Sequence, residues 1–217
     1  MGNIAIDGPA GAGKSTIAKI VAKKKGYIYV DTGAMYRAMA LYLIREGIAA
    51  NETEKIEAAC DKADISIKYI DGEQVVTLDG ENVNGFIRTE EVSNMASASS
   101  VNGKVREKLV ALQQKLASET DVVMDGRDIG TVVLPDAPCK IYLTASDDVR
   151  AKRRFDELTA KGVECNLNEL KKDIIERDCR DMNREISPLR RAEDAVFLDS
   201  SSMTIEEVVD KIIEIAG

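Results

Sequence analysis

The sequence predicts a three-layer α/β/α fold on a central parallel sheet of five strands, interrupted by a small antiparallel sheet. Short apolar runs at about 3–7, 27–30, 122–125, 140–144 and 195–199 alternate with segments of helical period. These runs are apolar on both faces, as strands covered by helices on two sides must be. Between about 64 and 84 the texture changes to alternating apolar and polar residues punctuated by Asp-Gly pairs, the pattern of half-exposed hairpins.

Each element follows from local chemistry. The first strand runs straight into Gly8-Pro9-Ala10-Gly11-Ala12-Gly13-Lys14-Ser15. A helix over about 15–25 sets Ile17, Ile20 and Val21 on one side, and Gly26 is its expected C-cap. The strand at 27–30 leads through Asp31-Thr32-Gly33 to a helix over about 35–46, stopped by Gly47. A third helix is expected over about 51–63. Ile65 to Ile70 and Val75 to Leu78 read as paired strands, with Asp71-Gly72 as their turn and Asp79-Gly80 turning again toward Val83. Helical patterning resumes near Thr89. Val105, Leu109, Leu112 and Leu116 form a stripe on a helix ending near Ser118. The strand at 122–125 enters Gly126-Arg127-Asp128, and Pro135 and Pro138 precede the strand at 140–144. Two charged helices follow, over about 147–161 and 167–185. After the last strand, Thr204-Ile205-Glu206-Glu207 is a capping box, and its helix is expected to bury Val208, Val209, Ile212 and Ile213.

Composition narrows the chemistry. With 217 residues, 44% hydrophobic and 31% charged, the chain has the make-up of a globular α/β unit rather than of a disordered one. It lacks an apolar run of the ~18 residues that span a membrane and has no room for a signal peptide before the first strand, so a cytoplasmic location is expected. Cys60, Cys139, Cys165 and Cys179 are scattered and read as free thiols. A net charge of −8 argues against a nucleic-acid partner. Yet nine of the thirteen arginines fall at or after Arg127, which suits a small, multiply phosphorylated ligand. There is no histidine, so a mechanism needing an imidazole base is excluded, whereas phosphoryl transfer works by positioning and charge stabilisation.

The stretch from Gly8 to Ser15, read on into Thr16, fits the phosphate-loop pattern G-x-x-x-x-G-K-[ST] between a strand and a helix. Gly8, Pro9, Ala10, Gly11, Ala12 and Gly13 allow the backbone to curl its N–H groups around an anion. Lys14 can reach the outer phosphates of ATP and the Ser15 hydroxyl can ligate Mg²⁺. Three further groupings stand out. Asp31 to Arg37 places an arginine one turn beyond a strand end; taken alone, it also reads as a capping aspartate beside a surface arginine. Gly126-Arg127-Asp128 sets opposite charges after a strand, or is a plain surface ion pair. Arg177, Asp181 and Arg184, at i, i+4 and i+7, share a helix face and also read as a solvated ladder.

Taken together, these segments, with Ile87-Arg88-Thr89 and the stretch from Ser97 to Arg106, resemble the bacterial cytidylate kinase family, a branch of the P-loop nucleoside monophosphate kinases. The resemblance covers essentially the whole chain. It implies a core of about 1–35, 119–146 and 186–217, a monophosphate-binding insertion of about 36–118 that carries the small sheet, and a helical lid of about 147–185. It also implies roles. Arg37, Arg127 and Arg184 would hold the monophosphate of CMP with forked donors. Asp128 and Ser97 are suited to accept from the cytosine amine, and Arg106 to donate to N3 or O2. Arg177 and Asp181 look like sugar contacts. Thr32, where the family often has Ser, supplies a hydroxyl, and Gly126 belongs to the same pocket. Arg150, Arg153 and Arg154 lie in the lid-like segment, one or more of them closing over the ATP phosphates, with Arg153 assigned to ATP. Lys14, Arg127, Asp128 and Arg184 form the catalytic set, and Asp125 or Asp128 would orient a metal-bound water. The implied reaction is transfer of the ATP γ-phosphoryl group to CMP, and to dCMP, by a monomer acting without nucleic acid or membrane. Rival readings are a P-loop kinase for another small acceptor and a nucleotide-dependent switch, although the Asn-Lys-x-Asp guanine-reading motif of such GTPases is missing.

Overall fold

The computed structural model describes residues 2–70 and 73–217; the expected turn at Asp71-Gly72 lies outside the described residues. The chain divides into two compact units. One contains the residues up to Tyr29 and Asp121–Gly217, the other Val30–Thr120.

The first unit is organised by a parallel sheet. Its central strand is β1 (Ile4–Asp7), all four residues of which are buried. β1 pairs in parallel with β6 (Val122–Gly126) and with β7 (Cys139–Thr144), and β8 (Val196–Asp199) pairs with β7. With β2 (Ile28–Asp31) at the other edge, the sheet order is β2-β6-β1-β7-β8, the five strands expected. Helix α1 (Lys14–Lys25) packs on β6, and α8 (Ile205–Ala216) packs on α1 and β7. Ile4, Ile6, Ile17, Val21, Ile141, Leu143, Val208, Val209 and Ile212 form the core between them. Gly26 ends α1 with a left-handed backbone (φ 70°), and Thr204 and Glu207 complete the predicted capping box of α8. Two expectations need correction. Ile213 is only partly buried. β8 is not apolar-covered on both faces: at this edge of the sheet Val196 and Phe197, which point to opposite faces, are both exposed. The remaining helices of this unit, α6 (Asp147–Ala160) and α7 (Leu167–Asn183), pack on each other, capped by Ser146 and Asn166.

The second unit holds α2 (Thr32–Arg45), α3 (Thr53–Lys62), the antiparallel strands β3 (Ile65–Ile70), β4 (Glu73–Leu78) and β5 (Glu81–Asn82), and helices α4 (Glu90–Ser99) and α5 (Gly103–Glu119). Met35, Met39, Leu43, Ile56, Ile65, Val76, Leu78, Val105 and Leu109 pack its core. α2 starts three residues earlier than expected because the Asp31 side chain caps the Ala34 N–H at 2.9 Å. The helical stretch after Thr89 is two helices. Asn102 accepts from Lys104 and Val105 N–H at 2.9 and 3.3 Å and starts the second one.

Candidate active site

Parallel strands bring their carboxyl ends to one edge of the sheet, where ligands of such folds gather. In the first unit that edge carries the loop after β1, the Gly126–Asp128 turn after β6, and Thr144 and Asp199 at the ends of β7 and β8.

The loop is tightly constrained. At Gly8 the backbone is at φ 151°, and a Cβ there would lie 1.9 Å from the Leu143 carbonyl oxygen of β7. Gly13 sits at the N-cap of α1 with φ 85° and brings no side chain to accept from the first turn. The leading amides of α1 are thus left to an anion, which the helix dipole also favours. Lys14 is 6% exposed, and its ammonium donates to the Pro9 carbonyl at 2.7 Å. Burial and the nearby Arg127 guanidinium hold its pKa well below the usual lysine value, against the pull of Asp125 and Asp7. Ser15 Oγ donates to Asp125 Oδ2 at 2.9 Å, and Tyr29 steadies the other oxygen of that carboxylate at 2.9 Å. A hydroxyl and a carboxylate side by side are the hard oxygen donors Mg²⁺ takes, directly or through water, alongside nucleotide phosphates. Among the described residues no group of three or more His, Cys, Asp or Glu could hold a metal. An ion held by one hydroxyl, waters and phosphates needs no such cluster.

The arginine–carboxylate groups lie in the same unit. Arg127 Nε donates to Asp181 Oδ2 at 2.8 Å and Nη1 to the Gly126 carbonyl at 3.3 Å. Burial of Asp181 works against ionisation, but Arg127, Arg177 and Arg184 outweigh it and hold the carboxyl below its usual range. Arg184 Nη2 lies 3.5 Å from Asp128 Oδ1, and its Nε donates to the Ser187 carbonyl at 2.6 Å. Arg184 is not on the face shared by Arg177 and Asp181, as spacing predicted: α7 stops at Asn183 and Arg184 is extended (φ −64°, ψ 142°), which turns its fork toward Asp128. Asp128 leads into a π-helical turn at Ile129–Val133 whose first two amides donate to Asp7, to Oδ1 at 2.8 Å and Oδ2 at 2.7 Å. Sequence periodicity gives no sign of such a turn or of its partner 122 residues away.

Of the three lid-segment arginines, Arg154 pairs with the exposed Glu157 at 2.9 Å. Arg153 donates to the Ala12 carbonyl at 3.4 Å and to Ser200 at its hydroxyl (3.2 Å) and carbonyl (2.8 Å), at the phosphate loop. Arg150 is buried and fully engaged with Ala10, Ala145, Asp147 and Asp178.

The second unit assembles its own set. Asp31 Oδ2 accepts from Arg37 at 3.0 Å and from Arg88 at 3.2 Å, while Oδ1 caps α2. Arg37 Nε is buried without an acceptor among the described residues. Thr32 is buried as the first residue of α2. Arg106, 3% exposed, donates to the Ser100 carbonyl at 3.3 Å and lies 5.5 Å from the Tyr36 ring centroid. The half-buried Ser97 accepts from Ser100 Oγ at 2.9 Å through its carbonyl. Gln74 on β4 forms two bonds to the Asp31 backbone, accepting at 2.8 Å and donating at 3.2 Å. Asp31 was legible as a capping residue; Gln74 and the shared hold on Arg37 and Arg88 were not.

The sequence model described as cytidylate kinase matches residues 4–217. A cytidylate kinase of Caldicellulosiruptor saccharolyticus is 57% identical over 98% of this chain and 94% of its own length. One from Bacillus subtilis is 50% identical over 98% and 95%. Among solved structures, a gluconokinase from Sinorhizobium meliloti superposes with a TM-score of 0.50 at 16% identity over 99% of this chain and 90% of that one, a likeness of fold alone. The family match runs from the first strand to the last residue, so the chain belongs to the cytidylate kinase family.

Proposed function

We propose that this chain transfers the γ-phosphoryl group of ATP to CMP and dCMP, giving ADP and the cytidine diphosphate. One observation carries the reading: Arg127, Arg177, Asp125 and Asp7 all act on the buried Lys14, so the phosphate loop and the residues suited to an acceptor share one electrostatic neighbourhood.

In this reading the core is about 1–35, 119–146 and 186–217, the lid about 147–185, and the insertion of about 36–118 contributes to binding the monophosphate. The Lys14 ammonium exchanges the Pro9 carbonyl for the β- and γ-phosphates. Ser15, with Asp125 behind it, would hold Mg²⁺, which neutralises charge on the phosphates. Arg127, Arg184 and Arg37 present forked donors to the CMP phosphate. That phosphate is ionised at neutral pH, so its oxygen attacks without a base, and the absence of histidine costs nothing. Asp128 and Ser97 accept from the cytosine amine and Arg106 donates to the ring. Uracil, with a carbonyl in place of the amine, would face the Asp128 carboxylate with two acceptors and no proton. Arg177 and Asp181 take the sugar, Thr32 adds a hydroxyl, and Arg153 closes on the ATP phosphates.

The test is a coupled assay with ATP, Mg²⁺ and a panel of CMP, dCMP, UMP, AMP and dTMP, run on the native chain and on Asp128→Ala. CMP and dCMP should exceed the other acceptors by on the order of 10²-fold in kcat/KM, and the substitution should remove most of that preference. CMP ranking as a poor acceptor would overturn the assignment, and native kinetics in Asp128→Ala would remove that residue from the base pocket.

A further inference from the structure

The mechanism leaves one buried ion pair unused. Arg150, on the first turn of α6, is 4% exposed, and Asp178, on α7, is 6% exposed. Both close on one residue of the phosphate loop, Ala10, through the two peptide groups that flank its Cα. Asp178 Oδ1 accepts from the Ala10 N–H at 2.9 Å, and Arg150 Nη1 donates to the Ala10 carbonyl at 2.6 Å and to Asp178 Oδ2. The arginine is fixed in turn by Asp147 and, at 3.0 Å, by the Ala145 carbonyl. The loop lies flat against α6 here: a Cβ at Gly11 would stand 3.2 Å from Arg150 Cβ and 3.4 Å from its carbonyl oxygen.

As a stabilising device this pair is a poor choice. Burying two opposite charges carries a heavy desolvation cost, and apolar residues of the same volume commonly do as well or better. What it adds is direction, since every remaining bond of the carboxylate and two of the guanidinium bonds are spent on the loop or on each other. Asp178 also has telling neighbours on its helix. Arg177 precedes it, and Asp181, one turn on, accepts from Arg127. In the reading above, the helix that carries the sugar contacts of the acceptor, Arg177 and Asp181, is therefore bonded directly to the backbone that cradles the donor.

We propose that Arg150 and Asp178 are positioning residues that couple the two substrates: a shift of α7 on acceptor binding moves the Ala10 peptide, so CMP on α7 tightens the loop's hold on ATP, and ATP tightens the hold on CMP by the same factor. This rests on the reading above that α7 contacts CMP and the loop contacts ATP.

Calorimetry tests it on the full chain with a non-hydrolysable ATP analogue and Mg²⁺, titrated with and without saturating CMP. In the native protein CMP should tighten the analogue about 5-fold or more, within the usual range of coupling between sites. Asp178→Ala should weaken the analogue about 10-fold, change CMP binding alone less than about 2-fold, and bring the coupling factor close to 1. Asp178→Asn keeps an oxygen for the Ala10 N–H in a side chain of the same shape and should retain part of the coupling, which a role in packing alone does not predict. Native-size coupling in either variant overturns the proposal, as does a native protein in which CMP leaves the analogue's affinity unchanged, or an equal loss of both affinities in Asp178→Ala. Failure of CMP to bind the native protein at all overturns the acceptor assignment instead, so the two failures are distinguishable.

Discussion

Two aspartates end the first two strands of the chain, and the two units use them in opposite ways. In the first unit Asp7, at the end of β1, is buried with both oxygens on backbone amides, those of Ile129 and Gly130. In the second, Asp31 at the end of β2 spends one oxygen on the Ala34 amide and the other on two guanidinium groups, Arg37 and Arg88. Burial pushes the Asp7 carboxyl up to about 6; the two amides and Lys14 oppose this, and Asp128 adds to it. The contrast separates two ways of fixing a loop. Partial charges of the backbone set the π-helical turn that carries Asp128, at an electrostatic cost. Full charges organise the arginines of the second unit, and the same carboxylate caps the helix bearing one of them.

The comparison can be broken at either end. Asp31→Ala should have the largest effect, about 3 kcal/mol of unfolding free energy, from a lost N-cap and a half-buried arginine left without its acceptor. Chemical denaturation measures it, and a loss under about 1 kcal/mol would mean that Asp31 organises little. Asp7 sharpens the contrast through pH. The folded chain holds a proton on Asp7 up to about pH 6, whereas the unfolded chain releases it near 3.8. Stability from this group is therefore full below pH 3.8 and lost as pH rises through 6. Between about pH 4.5 and 7.5 the native protein should lose on the order of 2 kcal/mol more than Asp7→Asn, in urea unfolding without nucleotide. Parallel pH profiles would show that Asp7 does not titrate in this way. The smallest effect belongs to Gln74→Leu, about 1 kcal/mol for two bonds to the Asp31 backbone. It should appear as faster amide exchange at Asp31 and along the start of α2, with exchange in β1 unchanged. Uniform acceleration in both units would remove Gln74 as a local tie.

What could be read in advance was short-range. The capping box at Thr204, the glycine stop at Gly26 and the loop from Gly8 to Ser15 depend on residues within a few positions of each other, and each formed as its local chemistry required. The five parallel strands and the small antiparallel sheet followed from periods of apolar residues, whereas the order β2-β6-β1-β7-β8 is set by pairings that no period encodes. The misplaced features have longer-range or competing causes. Arg184 left its helix because its fork is held by Ser187 and Asp128, against a spacing that favoured the helix face. The break before α5 went unread because its one signal is the Asn102 side chain, which accepts from the Lys104 and Val105 amides just ahead of the apolar stripe. Arg150 looked like any lid arginine until its partners proved to be Ala10 and Asp178, 140 and 28 residues distant. No periodicity or spacing encodes such pairs, since they exist only once the chain has closed.

The first glycine of the phosphate loop has a meaning its motif conceals. Any side chain at Gly8 would collide with the main chain of β7 before it met a nucleotide. Conservation-minded readers credit such glycines to ligand recognition, yet here the residue acts as a spacer that lets two strands of the sheet lie at their proper separation. An inactive variant at Gly8 would therefore report a sheet pried apart rather than a lost contact to the anion.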